Sequence, residues 1–164
     1  MQQSAARSFA ELLQAFAAAV VANDGKGLAE LFTPDGVYAD EFFGAHQGGV
    51  AIAAMLQRFH DTGRDYRWDF IDPVCDGNTG YARFRFSFAS RLAECAGKPV
   101  VFEGISRFSL RGGLIARYDE AFDRGVALVQ LDFPAERIRR VLEKAAAAQN
   151  RTDEAQAHLN RLAK

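Results

Sequence analysis

The residue pattern implies an α+β chain in which helices pack on one face of a curved, mainly antiparallel sheet. Near the start, Phe9, Leu12, Leu13, Phe16 and Val20 recur at i, i+3, i+4 and i+7, the spacing of a helix with one buried face. Further on, Phe84, Phe86 and Phe88 alternate with Arg83, Arg85 and Ser87, the period of a strand with one buried face. The later strands are separated by turns of hairpin length, which makes their pairing antiparallel.

Taken in order, residues Ser4 to Ala22 read as the first helix, with Ser4 or Ser8 as N-cap. Asn23-Asp24-Gly25 ends it, and Gly27 to Phe32 forms a short second helix. Thr33-Pro34-Asp35-Gly36 is a turn signal, followed by a short strand from Val37 to Asp40. Glu41 to Gly49 reads as a loop. The helix from Val50 to His60 that follows has Ile52, Met55, Leu56 and Phe59 on its apolar side. Strands are expected at Tyr66–Val74, Tyr81–Ser90, Val100–Leu110 and Leu114–Phe122, the last two joined at Arg111-Gly112-Gly113. Pro134 can open a further helix, striped by Ile138, Val141, Leu142 and Ala145, and Ala155 to Leu162 reads as a weaker helix or a frayed tail.

Composition narrows the function classes. The 164 residues suit one domain able to bury a core without staples. With 20 Lys+Arg against 21 Asp+Glu, the chain lacks the positive excess that phosphate binding needs, so neither nucleic acid nor a membrane surface is expected as partner. Phe occurs 14 times, more often than Leu, which points to a core or cavity lined with rings. Cys75 and Cys95 show no metal-ligand spacing and read as two buried thiols of a reducing cytoplasm. The run Leu12 to Ala22 resembles a signal-peptide core, but Glu11 precedes it, Gln14 interrupts it, and Arg7 is the one nearby cation. A cytoplasmic chain is therefore expected. No run approaches the ~18 apolar residues of a membrane span.

Four strings carry a resemblance: VANDGKGLAELF, TPDGVYADEFFG, GGVAIAAMLQRF and GGLIARYDEAFD. In content and order they resemble the nuclear transport factor two-like superfamily, in its SnoaL-like and ketosteroid isomerase-like branch, over roughly Phe9 to Asp123. The resemblance implies a cone-shaped fold: a strongly curved, mainly antiparallel sheet wrapped around N-terminal helices, with a ligand pocket at the open end. It implies a SnoaL-like domain over residues 1–133 and a C-terminal helical extension over 134–164.

Register selects the pocket residues. Phe84, Phe86 and Phe88 face inward, as do Phe102, Gly104, Ser106 and Phe108 on the next strand. Matching the last strand to the relatives turns Ala116, Tyr118, Glu120 and Phe122 inward. Matching the first turns Tyr38 and Asp40 inward. Phe16, Phe59, Trp68 and, at the mouth, His46 complete the expected lining. By resemblance, Asp40 stands where the isomerases hold their general base, and Glu120 where epoxide hydrolase relatives carry a carboxylate. A carboxylate among rings is poorly solvated, which raises its pKa and suits proton transfer beside a carbonyl. The bland alternative for Asp40 is an ionised loop cap, and for Glu120 a strand shifted by one residue. Tyr38 and Tyr118 offer hydroxyls to a ligand oxygen, or simply pack.

Departures from the relatives matter. Phe16 replaces the oxyanion Tyr of the isomerases, Ser106 replaces their protonated Asp, and the Arg of the epoxide hydrolases has no inward counterpart. The chain is thus expected to bind a small apolar, cyclic molecule. It is either an enzyme of isomerase, cyclase or dehydratase type, with Asp40, Glu120 and Tyr38 catalytic and no metal or cofactor, or a non-catalytic ligand-binding or protein-interaction module. The outer sheet face carries Arg83, Arg85, Glu103, Ile105, Arg107, Ile115 and Arg117, and a homodimer is expected through it.

Overall fold

The structure is a computed structural model and describes residues 8–162. Helix α1 (Phe9–Val21) is capped by Ser8: its hydroxyl accepts the Glu11 N–H at 3.3 Å, and the Glu11 carboxylate accepts the Ser8 N–H at 2.7 Å. The other cap candidate, Ser4, lies outside the described residues. Asp24 takes the Gly27 N–H at 2.8 Å and so starts α2 (Gly25–Ala29) two residues earlier than expected, ending it before Phe32.

Phe32 instead opens β1 (Phe32–Asp40), and the expected turn Thr33–Gly36 lies inside this strand. There the pairing jumps from Phe32↔Ile115 to Val37↔Arg117, so the turn residues are spent on an irregularity, not a chain reversal. A Cβ on Gly36 would lie 2.9 Å from the carbonyl oxygens of Ile115 and Thr33, so the close approach needs glycine. The expected loop after Asp40 contains a further strand, β2 (Gly44–Gln47), folded back so that Asp40 pairs with Gly44. Then come α3 (Gly49–Thr62), β3 (Gly63–Cys75), β4 (Thr79–Ser90), a single 3-10 turn (Ala93–Cys95), β5 (Pro99–Arg111) and β6 (Leu114–Phe122). The β5–β6 hairpin turns on Gly112 and Gly113, both at positive φ (62° and 79°).

The six strands form one sheet in the order β2-β1-β6-β5-β4-β3. All neighbours are antiparallel except β1 and β6, which run parallel. Two register shifts in β3, with Asp65 and Asp72 at φ 57° and 51°, bend the sheet. Its concave face wraps α1, whose Leu12, Leu13, Phe16, Ala19 and Val20 are buried, and α3, which buries Ile52, Met55 and Leu56. This is the α+β cone fold the sequence implied.

The inward rows of β4 and β5 are as expected: Phe84 and Phe86 are each 2% exposed, and Phe102, Ser106 and Phe108 are buried. Gly104 sits in this row without room for a methyl group, since a Cβ would lie 2.6 Å from the Phe84 ring and 2.5 Å from the Ala121 carbonyl. One residue of the outer row is corrected. Ile115 is fully buried, because Ser109↔Arg117 is followed by Leu110↔Ile115. Ala116 is the extra residue of a bulge, and the alternation changes phase across it. Cys95 is buried, as expected, but Cys75 is exposed, because the end of β3 runs past the core and Val74 beside it is 64% exposed.

Three helices follow the sheet where two were expected: α4 (Arg124–Gln130), α5 (Ala135–Gln149) and α6 (Asp153–Leu162). Asp123 caps α4 through the Gly125 N–H at 2.8 Å, and α4 turns Ala127 and Leu128 inward. Two ties hold it to the sheet side. Gln130 bonds both the Val101 N–H (2.9 Å) and the Val101 carbonyl (2.8 Å), and Lys98 pairs with Asp132. No helix among the described residues is long and apolar enough to cross a membrane.

Candidate functional site

The parallel pairing of β1 with β6 builds the polar centre of the site. Tyr38 lies beside Tyr118 and Ala39 beside Asp119, so Tyr38-Ala39-Asp40 and Tyr118-Asp119-Glu120 run in step. With a side-chain period of two, both tyrosines and both carboxyls share the concave face. Next across the sheet, Ser106 pairs with Glu120, and Phe108 with Tyr118.

A hydrogen-bond chain follows from this register. Tyr118 donates its hydroxyl to Glu120 Oε2 at 2.8 Å, so the contact with Ser106 Oγ at 3.0 Å must run from Ser106 to Tyr118. Glu120 Oε1 accepts the Glu41 N–H at 3.3 Å, and the Glu120 and Asp40 carboxyls are neighbours that perturb each other. Asp40 Oδ1 accepts the N–H groups of Phe42 and Phe43, both at 2.6 Å, and so also caps the β1–β2 turn.

Burial raises the pKa of both carboxyls, that of Glu120 well above the ordinary carboxylate range, where the charge of Asp40 raises it further. The Asp40 shift is tempered by its backbone N–H bonds. Both shifts favour retention of a proton between the two carboxyls, on Glu120 before Asp40. Burial likewise raises Tyr38 and Tyr118 well above the usual phenol value, assisted by the Glu120 charge. Beside the pair, Arg124 at the start of α4 pairs with Glu41, and burial lowers the Arg124 pKa.

Because the folded chain binds protons on this pair that the unfolded chain has released, stability falls as pH rises from the ordinary carboxylate range through the raised values. Glu120→Gln is expected to flatten that fall: the variant should lose less melting temperature between pH 5 and pH 8 than wild type does. Parallel melting slopes would contradict the shared proton.

Tyr38, Asp40, Glu120, Phe59, Trp68, Phe84, Phe86, Phe102 and Phe122 meet around a small cavity of about 20 Å3, together with Phe42. That is room for about one water. The Trp68 indole N–H is buried with no hydrogen-bond partner among the described residues. A chamber of about 210 Å3 adjoins, sharing Phe42, Phe59, Phe86 and Phe102 with the small cavity and reaching Phe88. Its far wall is Ala127 and Leu128 of α4, Leu131, Phe133 and Arg137.

Five residues expected in the lining sit elsewhere. Phe16, Ser106, Phe108 and Tyr118 are fully buried in the packed apex behind the cavity, where Phe16 stacks on Tyr38 (5.7 Å) and contacts Tyr118 (4.9 Å). His46 lies on β2, its Nε2 3.1 Å from the Phe43 carbonyl, outside both cavities. Sequence reasoning missed Glu41, Arg124 and the whole α4 wall. The signal was Asp123 as a cap followed by apolar Val126, Ala127 and Leu128. Two larger grooves, about 710 and 560 Å3, run along α5 on the open surface. Among the described residues, no three His, Cys, Asp or Glu side chains gather as metal ligands.

Comparison with known proteins places this geometry. A family model described as the SnoaL-like domain matches residues 13–118. Curated proteins give no match. Among solved structures, a Catenulispora acidiphila protein with a ketosteroid isomerase-like fold, in complex with trimethylamine, aligns at TM-score 0.71 and 20% identity over 79% of this chain and 98% of its own. TsrD from Streptomyces laurentii aligns at 0.66 and 21% identity, covering 80% and 98%. An LEH-like epoxide hydrolase of M. tuberculosis aligns at 0.59 and 20% identity, covering 73% and 86%. At such identities these three share the fold. The family match, running from α1 to Tyr118, goes further: the chain belongs to the SnoaL-like family.

Proposed function

We propose that this chain binds a small, largely apolar, ring-bearing molecule in the 210 Å3 chamber and catalyses a proton transfer on it, as an isomerase, cyclase or dehydratase. One observation carries the reading: the side chains of Asp40 and Glu120 meet in one small ring-lined cavity beside an aromatic chamber, where burial raises both carboxyls. Asp40 takes a proton from a carbon next to a carbonyl. As Asp40 takes up that proton it no longer needs the Glu120 O–H, which turns to the developing oxyanion together with the Trp68 N–H, and Tyr38 packs against the reacting group. The proton then returns from Asp40 to another carbon, or to a leaving oxygen. Donor and acceptor both come from the chain, so the reaction needs neither metal nor cofactor. Phe42, 42% exposed and common to both cavities, is the ring that swings to join them. On this reading residues 1–133 are the catalytic domain and 134–164 a helical extension whose start closes the chamber.

A thermal-shift screen of cyclic ketones and phenols tests the reading, followed by turnover assays on the compounds that stabilise. Ligands should stabilise wild type and fail to stabilise Ala127→Phe, which fills the chamber. A second reading has its own observation, the two short N–H bonds to Asp40 that cap a turn. If ligands bind and none turns over, the chain is a binding protein and Asp40 is its loop cap.

We also propose a homodimer through the outer sheet face. Ile105 is 53% exposed there, amid Arg83, Arg85, Glu103, Arg107 and Arg117. Within one chain these charges already pair, Arg85 with Glu103 at 2.8 Å and Arg107 with Asp119 at 3.4 Å across strands, and Arg117 with Asp119 at 2.8 Å along β6. The apolar contact at Ile105 is therefore expected to matter more than the ion pairs. Light scattering should show a dimer at micromolar concentration that Ile105→Asp dissociates and Arg85→Glu weakens. A monomeric wild type, or indifference to both changes, removes this face.

A further inference from the structure

The chamber has two unlike ends. At one end, beyond the shared rings of Phe42, Phe59, Phe86 and Phe102, lies the carboxyl pair Asp40–Glu120. At the other stands Arg137, the one charged residue among the described side chains that line the chamber. The remaining polar side chains of its wall serve the chain itself. Thr62 and Tyr66 both donate to the Phe59 carbonyl, at 3.0 and 2.7 Å, and Ser90 bonds the Leu92 N–H at 3.1 Å and Cys95 Sγ at 3.2 Å.

Arg137 is held at this rim on two sides. Its guanidinium lies over the Phe133 ring, 3.6 Å from the centroid, and its Nη1 donates to the Glu94 carboxylate on the 3-10 turn. Stacking fixes the plane of the fork, and Glu94 engages one nitrogen of a group that carries five N–H donors. Both partners are partly open to solvent, so a competing oxyanion can reach the guanidinium. An apolar wall with a single preoriented guanidinium selects a planar oxyanion on an apolar body. The negative carboxyl pair repels that oxyanion from the opposite end and so sets the direction in which the molecule lies.

We infer that Arg137 is a specificity-determining residue: the ligand carries a carboxylate or an equally acidic oxygen, bound by Arg137 at the chamber mouth, with its reactive apolar end toward Asp40. This rests on the reading of the chamber as the ligand site. Binding is tested with three isosteric probes, 2-naphthoate, 2-naphthamide and 2-naphthylmethylammonium, titrated by tryptophan fluorescence and calorimetry. Wild type is expected to bind the acid about tenfold or more tighter than the amide, with the ammonium weakest. Arg137→Gln should reduce the acid to about the affinity of the amide, with a much smaller loss for the amide itself. Arg137→Lys should restore part of the preference, and Glu94→Gln should tighten the acid by about two- to fivefold by removing the competing carboxylate.

Equal affinity of wild type for acid and amide, an acid preference that survives Arg137→Gln, or tightest binding of the ammonium would each overturn the inference while leaving the chamber a ligand site. Failure of all three probes to bind would overturn the chamber reading together with it.

Discussion

Asp40→Asn is expected to lower turnover by about 10²- to 10⁴-fold, the range for loss of a general base, while leaving the melting temperature nearly unchanged. The geometry separates the two properties. Asn keeps an Oδ1 that accepts the Phe42 and Phe43 N–H groups, so the turn cap survives. It cannot take a proton from carbon. Rates and melting curves of the two proteins, recorded with the same screened substrate, check this. A variant that melts normally and keeps its rate would assign Asp40 to the turn alone. Glu120→Gln, which retains a donor toward the same space, should lose less rate than Asp40→Asn.

Phe86→Asp should abolish folding, whereas Arg85→Asp, one residue away, should cost on the order of 1 kcal/mol. Phe86 is 2% exposed and contacts the rings of Phe59, Tyr66, Trp68 and Phe102 at 5.6, 5.6, 5.0 and 5.4 Å. An aspartate there removes that packing and buries an unpaired carboxylate, a loss of several kcal/mol against a total stability of about 5–15 kcal/mol. Arg85 lies on the outer face and pairs with Glu103, so its replacement breaks an exposed ion pair and sets two acids side by side. Urea melts of both variants decide the matter: similar losses would mean that the two faces of β4 are not inside and outside.

The cone and its polar centre were legible in the sequence where the chain is locally regular. Strict alternation at Phe84, Phe86 and Phe88, and a two-glycine hairpin at Gly112-Gly113, fixed the faces of β4 and β5 without tertiary information. Legibility failed where one extra residue changes phase. Ala116 bulges out of β6 and sends Ile115 to the core, and nothing local to LIARY marks that shift. Thr33-Pro34-Asp35-Gly36 has the chemistry of a turn, yet β6 pairs on both sides of it and keeps the chain in the sheet. The carboxyls could be assigned because the strand matches gave both the inward row. The chamber could not, since its far wall comes from Leu128, Leu131, Phe133 and Arg137, folded back over the mouth from α4 and α5. Only tertiary packing brings those residues opposite Phe86 and Phe102.

The proposed chemistry requires that Asp40 and Glu120 share a proton at neutral pH. Carboxyl carbon-13 chemical shifts of the two side chains, followed from pH 3 to 9 in wild type and assigned with Asp40→Asn and Glu120→Gln, measure it without a substrate. The account predicts that one carboxyl, that of Glu120, stays protonated at pH 7, and that removing either partner shifts the titration of the other. Two independent titrations near pH 4, each indifferent to loss of its neighbour, would contradict it.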